Sequence, residues 1–96
     1  MAAQPISSEV RDNRERRRFE LETAAGTAYS EYSLIGELLT IKHTEVPEAL
    51  EGQGIGSRLA RGALEQARAR GLKVVARCPF VSAYMQRHAE FDDLRP

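Results

Sequence analysis

Several kinds of residue are scarce in this chain of 96 residues, and each scarcity excludes a class of structure. A single cysteine, Cys78, excludes an intramolecular disulfide and a cysteine-rich metal site. The two histidines, His43 and His88, lie far apart without metal-ligand spacing, so no metal is expected. Apolar runs are only a few residues long and the N-terminus lacks an apolar segment, which predicts neither a membrane span nor a signal peptide. We therefore expect a cytoplasmic protein.

An excess of charge of one sign is also absent. The 14 basic and 14 acidic residues give a formal net charge of zero, which does not favour a strongly acidic or basic partner. The densest basic run, R-E-R-R-R, begins at Arg14 and ends at Arg18. If Phe19 and Leu21 face inward from a strand, these charges form a solvated face. The alternative is a partner or nucleic acid bound through this run, and the lack of interleaved aromatics makes nucleic acid the less favoured.

The length is that of one domain with a small core. Gln4, Pro5 and the neighbouring serines show no hydrophobic periodicity, so residues 1–7 are predicted to be a flexible tail and residues 8–96 a single domain.

Alternation of apolar and polar residues predicts an antiparallel meander. Short strands are expected at residues 10–13, around Phe19, and at residues 27–35, and Gly36 with Glu37 suits a type II′ turn. The strand at residues 38–46 follows. One of its faces is expected to carry Leu39, Ile41, His43 and Glu45, and the other Leu38, Thr40, Lys42, Thr44 and Val46.

Helical spacing predicts two helices after the meander. The first runs from Ile55 to about Arg70, with Gly71 as a left-handed cap. Residues 72–76 then form a buried strand, which a right-handed crossover places parallel to residues 38–46. Pro79 begins the second helix. The residues of this helix expected to cover the sheet are Phe80, Val81, Tyr84, Met85 and His88. The two helices are expected to lie either on the same face of the sheet or on opposite faces.

The segment V-P-E-A-L-E-G-Q-G-I-G-S, residues 46–57, contains three of the seven glycines and leads directly into the first helix. Glycine lets the backbone turn tightly, and unpaired N–H groups at a helix N-terminus suit a phosphate. The plain alternative is a turn that merely joins a strand to a helix. A P-loop requires Lys and then Ser or Thr after the last glycine, where Ser57 and Arg58 stand. A dinucleotide fingerprint requires a glycine at Leu59, so both motifs are excluded.

The remaining motif, E-G-Q-G-I-G at residues 51–56, resembles the Q/R-x-x-G-x-G/A signature of the GNAT superfamily of acyl-CoA-dependent N-acetyltransferases. With H-T-E-V-P-E-A-L before it and C-P-F-V-S-A-Y-M-Q-R-H after the next strand, the chain is similar to the short, stand-alone YjdJ-type members over roughly residues 8–94. One departure is Glu51, at a position where the family usually has Arg or Gln.

The resemblance implies a compact α+β fold in which two parallel strands part and admit the pantetheine arm of acetyl-CoA. Backbone groups of Thr44 to Val46 would pair with that arm. The backbone N–H groups that would hold the pyrophosphate are those of Gln53, Gly54, Ile55, Gly56 and Ser57.

The resemblance also implies direct acetyl transfer from the thioester to an amine in a ternary complex. His43 or Glu45 would accept the amine proton, and Tyr84 or Cys78 would protonate the departing thiolate. Cys78 would alternatively accept the acyl group transiently, since a helix N-terminus and Arg77 favour a thiolate. The plain alternatives are a structural histidine, a core tyrosine and an inert buried thiol.

The functional alternative to a transferase is a module that binds acyl-CoA without catalysis. The acceptor amine, whether small molecule, peptide or protein, and the oligomeric state stay open at this point.

Overall fold

The computed structural model describes residues 10–96, so the predicted tail and the predicted start of the domain at residue 8 lie outside the described residues. The strands of this part are β1 (Val10–Asn13), β2 (Arg18–Thr23), β3 (Gly26–Ile35), β4 (Leu38–Glu45) and β5 (Lys73–Ala76). The helices are α1 (Ile55–Ala69) and α2 (Pro79–Arg87), with single 3-10 segments at Glu48–Leu50 and Ala89–Leu94.

The five strands form one sheet in the order β1-β2-β3-β4-β5. The first four strands pair antiparallel, and β5 pairs parallel with β4. Gly36, with φ 60°, is the first residue of the two-residue loop that joins Ile35 to Leu38, as a type II′ turn requires. The predicted α+β fold, a meander continued by a strand-helix-strand crossover, is confirmed.

Both helices lie on one face of the sheet. Inward residues of β3, such as Ala28 and Tyr32, belong to a single hydrophobic cluster with Leu64 of α1 and Met85 of α2. The opposite face carries no α-helix among residues 10–96, and Ile35 at its edge is 78% exposed. Of the two predicted arrangements, helices on one face or on both faces of the sheet, the structure therefore has the first.

The end of α1 follows the predicted left-handed cap. Gly71 has φ 71°, and its N–H donates to the Arg68 carbonyl at 3.0 Å. The Leu72 N–H donates to the Ala67 carbonyl at 2.9 Å, which completes a Schellman motif. Because Leu72 closes this cap, β5 begins one residue later than predicted, at Lys73.

A β-bulge interrupts β4 at Lys42. Tyr32 of β3 pairs with Ile41, whereas the preceding residue, Glu31, pairs with His43. Lys42 is therefore an extra residue without a partner on β3. A bulge of this kind reverses which side chains face the core beyond it.

The reversal contradicts the predicted faces of β4. Thr44 pairs with Ser30 on the buried face, and their hydroxyl oxygens lie 2.8 Å apart. His43 and Glu45 lie on the open face instead. The prediction that they share a face with Leu39 is wrong, because alternation was counted without the extra residue.

Glu20 of β2 lies close to the charges of Arg14 to Arg18, for which a solvated face was predicted, but Glu20 itself is not solvated. Its side chain is only 5% exposed, on the open face, beneath hydrogen bonds from Arg18 at 2.6 Å and from Arg11 and Asn13 at 3.2 Å. Burial acts to raise the pKa of Glu20, but these hydrogen bonds outweigh it and hold the pKa below the ordinary 4.5.

Candidate active site

The parallel strands part where β5 ends. The pairing of β4 with β5 stops at Ile41 and Ala76. The N–H groups of Arg77 and Cys78 both donate to the Ile41 carbonyl, at 2.9 and 3.2 Å, and the chain then turns into α2 at Pro79. Residues 42–45 of β4 continue without a partner strand on that side, which opens a cleft.

The cleft has a volume of about 510 Å³ and lies between the end of β4, the glycine-rich loop and the first turn of α1. Six of the predicted cofactor-binding residues line it, namely Thr44, Val46, Gly54, Ile55, Gly56 and Ser57. Glu45, Leu50, Glu51, Gly52 and Phe80 complete the lining.

The first turn of α1 points unpaired donors at the cleft. Gly54 caps the helix in the left-handed region, with φ 80°, and the first helical hydrogen bond runs from the Arg58 N–H to the Gly54 carbonyl. Within residues 10–96, the N–H groups of Ile55, Gly56 and Ser57 have no backbone acceptor and no side-chain cap. Together with the positive end of the helix dipole they form a site suited to an anion.

Gln53 does not join these donors. Its N–H donates to the Leu50 carbonyl at 3.2 Å, its side-chain amide donates to the Ala49 carbonyl at 3.5 Å, and it does not line the cleft. The loop uses the Gln53 N–H to hold its own turn, and a ligand contact from this group stays a prediction.

Phe80 forms a wall of the cleft and was missed by sequence reasoning. It was expected to cover the sheet, but it is 44% exposed and its ring lies against Gly56. A Cβ at Gly56 would lie 2.8 Å from Phe80 Cζ, so the close approach requires glycine.

Cys78 lies directly behind the cleft lining. Its side chain is buried, at 4% exposure, and its thiol donates to the Thr44 hydroxyl at 3.3 Å. Because Thr44 lines the cleft and also contacts Ser30, a short series of polar groups connects the cleft to the thiol.

His43 and Glu45 form a pair on the open face of β4. His43 Nε2 lies 2.6 Å from Glu45 Oε1, and each side chain is 56% exposed. Glu45 also lines the cleft, so the pair stands where the open face meets it. The cross-strand neighbours are Glu31 opposite His43 and Tyr29 opposite Glu45.

Tyr84 lies away from this group. Its side chain is buried between the helices, its hydroxyl lies 3.5 Å from Arg61 Nη1, and its ring stacks on His88 at 3.9 Å between centroids. It does not line the cleft, so the structure brings Cys78 and Thr44 together but not Tyr84.

The basic run occupies the turn between β1 and β2 and ends at Arg18, the first residue of β2. Arg14 pairs with Asp12 at 3.2 Å, and Arg18 pairs with Glu20 at 2.6 Å while its guanidinium lies over the Tyr29 ring. Both ends of the run are thus compensated. Residues 10–96 contain no group of three or more side chains able to hold a metal ion, and no helix there is long and apolar enough to span a membrane.

Comparison with known proteins gives consistent matches. The model of the GCN5-related N-acetyl-transferase family matches residues 18–94. The chain is 31% identical over 83 residues to Protein NATD1 of Gallus gallus, covering 83% of this chain and 76% of that protein. It is 32% identical over 82 residues to Protein NATD1 of Mus musculus, covering 82% and 74% respectively.

The fold matches a solved structure as well. The NMR structure of a GCN5-like protein from Staphylococcus aureus aligns with a TM-score of 0.70 and 25% identity, over 92% of this chain and 87% of that one. The family match, the relatives and the fold agree with one another, and this chain belongs to the GCN5-related N-acetyltransferase family.

Proposed function

We propose that this protein transfers the acetyl group of acetyl-CoA to an amine. The observation that carries the proposal is the cleft where β4 and β5 part, which has free helix N–H groups at one side and the pair of Thr44 and Cys78 at the other. Family membership supports an acetyltransferase role. The acetyl-CoA donor, the amine acceptor and the direct transfer go beyond that role and form the proposal.

The first turn of α1 suits the pyrophosphate of this substrate. Gly52 and Gly54 have φ 84° and 80°, and no atom lies within 4 Å of a Cβ built at either, so the loop leaves space for a bulky anion beside the donors. Glu51 also lines the cleft and repels a diphosphate. Three backbone donors with the helix dipole offset the charge of the Glu51 carboxylate.

The free edge of β4 suits the pantetheine arm. Beyond Ile41 the side of β4 that faced β5 lacks a partner strand, and Thr44 and Val46 line the cleft there. The amides of the arm have the donors and acceptors that a neighbouring strand would supply. A buried ligand amide pairs better with such an edge than with side chains, since the backbone is already ordered.

The transfer step makes three demands on the protein. The amine nitrogen attacks the thioester carbonyl carbon, the C–S bond breaks, and the amine loses a proton while the CoA thiolate gains one. His43 and Glu45, exposed and hydrogen-bonded to each other, accept the amine proton directly or through water. Cys78, whose thiol is hydrogen-bonded to Thr44 at the cleft, supplies the proton to the CoA thiolate. Tyr84 is the second candidate for this role.

The proposal is tested by combining binding with turnover. Acetyl-CoA is expected to raise the melting temperature in a concentration-dependent manner, because it binds the folded cleft and not the unfolded chain. Dephospho-CoA, which keeps the diphosphate, should retain most of this shift, and pantetheine should lose it. Release of free CoA thiol is then measured against a panel of small amines and lysine peptides.

Each outcome separates the alternatives. No shift with acetyl-CoA contradicts the proposal. A shift without CoA release for any amine class favours a module that binds acyl-CoA without catalysis. Mass spectrometry of CoA species that copurify with the protein provides an independent check of the donor.

A further inference from the structure

A second cavity of about 490 Å³ lies at the opposite end of β3 and β4 from the cleft. It is bounded by Arg14 and Arg17 of the turn between β1 and β2, by residues 32–35 of β3, and by Arg70 at the end of α1. None of these residues lines the cleft, so the second cavity is a separate site.

Positive charge dominates the second cavity. Arg14 Nε and Arg70 Nη1 both donate to Asp12 Oδ2, at 3.2 and 3.1 Å, and the Tyr32 hydroxyl donates to Asp12 Oδ1 at 2.6 Å. Two guanidinium groups therefore share one carboxylate, and Arg17 adds a third guanidinium to the lining of the cavity. Each guanidinium has five N–H donors, so Arg14 and Arg70 keep donors that Asp12 does not use. An anion entering the cavity would meet these donors with an excess of two positive charges.

Arg17 contributes a charge that the rest of the described chain does not compensate. Its side chain has no hydrogen bond or ion pair within residues 10–96. Its backbone φ is 57°, the one positive φ among the non-glycine residues that the structure describes. Glycine and asparagine adopt this left-handed conformation with less strain than arginine does. Position 17 therefore carries arginine although its positive φ disfavours that residue.

The same cavity exposes a strand edge. The pairing of β2 with β3 ends at Arg18 and Glu31, and one further bond joins the Tyr32 N–H to the Arg17 carbonyl at 2.9 Å. Bonded pairs alternate along an antiparallel ladder. Because the two-residue turn makes Ile35 and Leu38 a bonded pair, Leu34 directs its N–H and carbonyl away from β4 and toward the cavity.

We propose that the second cavity binds an extended acidic peptide segment. The peptide backbone pairs with the free edge at Leu34, and its carboxylates contact Arg14, Arg17 and Arg70. Ile35, 78% exposed beside this edge, offers contact to an apolar side chain of the same peptide. A free edge with backbone donor and acceptor favours a peptide over a small anion, which would use only the arginines. This inference does not depend on the proposed acetyl transfer.

The test uses a fluorescent hexapeptide of alternating valine and glutamate, blocked at both ends, and its glutamine counterpart. The glutamate peptide is expected to bind, more weakly as salt is added, and the glutamine peptide to bind about tenfold more weakly. Arg17→Asn keeps a residue suited to the left-handed backbone and removes the charge, so affinity should fall about fivefold. Arg16→Asn, in the same turn but outside the cavity, is the matched control and should change affinity less than about twofold.

Hydrogen exchange locates the peptide. Protection of the Leu34 amide on binding is expected, and its absence overturns the strand pairing. Equal losses for Arg16→Asn and Arg17→Asn, equal binding of both peptides, or displacement by inorganic phosphate at matched ionic strength each overturn the proposal. Competition by acetyl-CoA would place the peptide in the cleft and overturn it too. None of these results affects the proposed acetyl transfer, because Arg17 and Leu34 do not line the cleft.

Discussion

Gly56→Ala is expected to weaken acetyl-CoA binding without destabilising the fold. The new Cβ would lie 2.8 Å from Phe80 Cζ, but the ring is 44% exposed and can swing aside into the cleft. Replacing glycine in a helix adds up to about 1 kcal/mol of stability, which offsets this movement. The methyl and the displaced ring then crowd the free N–H groups. Loss of one hydrogen bond to a charged group, about 1.5–3 kcal/mol, lowers the affinity at least tenfold.

Gly62→Ala in the same helix is the matched control, with the opposite expectation. Its Cβ would lie 2.4 Å from Val10 Cγ2 and 2.7 Å from Val10 Cβ, and Val10 is 3% exposed on β1. Overpacking costs about 1–3 kcal/mol and the helix gain returns about 1, so the net loss is about 0–2 kcal/mol. Each kcal/mol lowers the melting temperature by about 4–8 °C in a domain of this size. Affinity should be unchanged, because Gly62 does not line the cleft.

The two variants are compared by urea unfolding and by titration calorimetry with acetyl-CoA. The expected result is a crossed pattern, with affinity lost in Gly56→Ala and stability lost in Gly62→Ala. Destabilisation of Gly56→Ala at unchanged affinity would refute the assignment of the first turn of α1 to the ligand. In a Phe80→Leu background the affinity loss from Gly56→Ala should shrink, because the shorter side chain leaves room for the methyl.

Three further predictions address charge and proton transfer. Glu51→Arg should tighten CoA binding about tenfold at low salt and less at high salt, by calorimetry at two ionic strengths; an unchanged Kd means that this side chain points away from the phosphates. Cys78→Ala should lower kcat more than it lowers acetyl-CoA affinity, while Tyr84→Phe should retain turnover because the Tyr84 hydroxyl contacts Arg61. Loss of turnover in Tyr84→Phe with turnover retained in Cys78→Ala would assign the role of general acid to Tyr84. The lowered pKa of Glu20 stabilises the folded state above pH 4.5, and this contribution disappears as the pH falls through the folded-state pKa. Glu20→Gln should therefore be less stable at neutral pH and show a flatter acid-unfolding profile by circular dichroism. An unaltered profile would contradict the linkage between this pKa and stability.

Local signals account for the parts of the fold that the sequence predicts well. Gly36, Gly71 and Pro79 each act within a few residues of their own position, so a hairpin turn, a helix end and a helix start were predictable. The glycine-rich run likewise located the cleft, because its glycines and the helix after it are adjacent in the chain.

Contacts between distant segments account for the parts that were missed. The bulge at Lys42 depends on how β3 and β4 align, which alternation within β4 does not reveal. Phe80 lies at the cleft because α1 offers a surface without a side chain at Gly56. The burial of Glu20 requires three partners from β1 and β2. In each case the deciding atoms belong to another element of the fold.

The bulge also makes β4 a partition between two chemical environments. Thr44 faces the side that holds Cys78, while its neighbours His43 and Glu45 face water. In the proposed reaction, Thr44 therefore lies beside the acyl donor, and His43 and Glu45 lie beside the amine acceptor. Substitutions at positions 43 and 45 can retune the preference for an amine without repacking the thiol, and substitution at position 44 can alter the thiol's surroundings without changing the charge offered to the amine. The proposed reaction would thus make specificity and acyl chemistry separately adjustable within three consecutive residues.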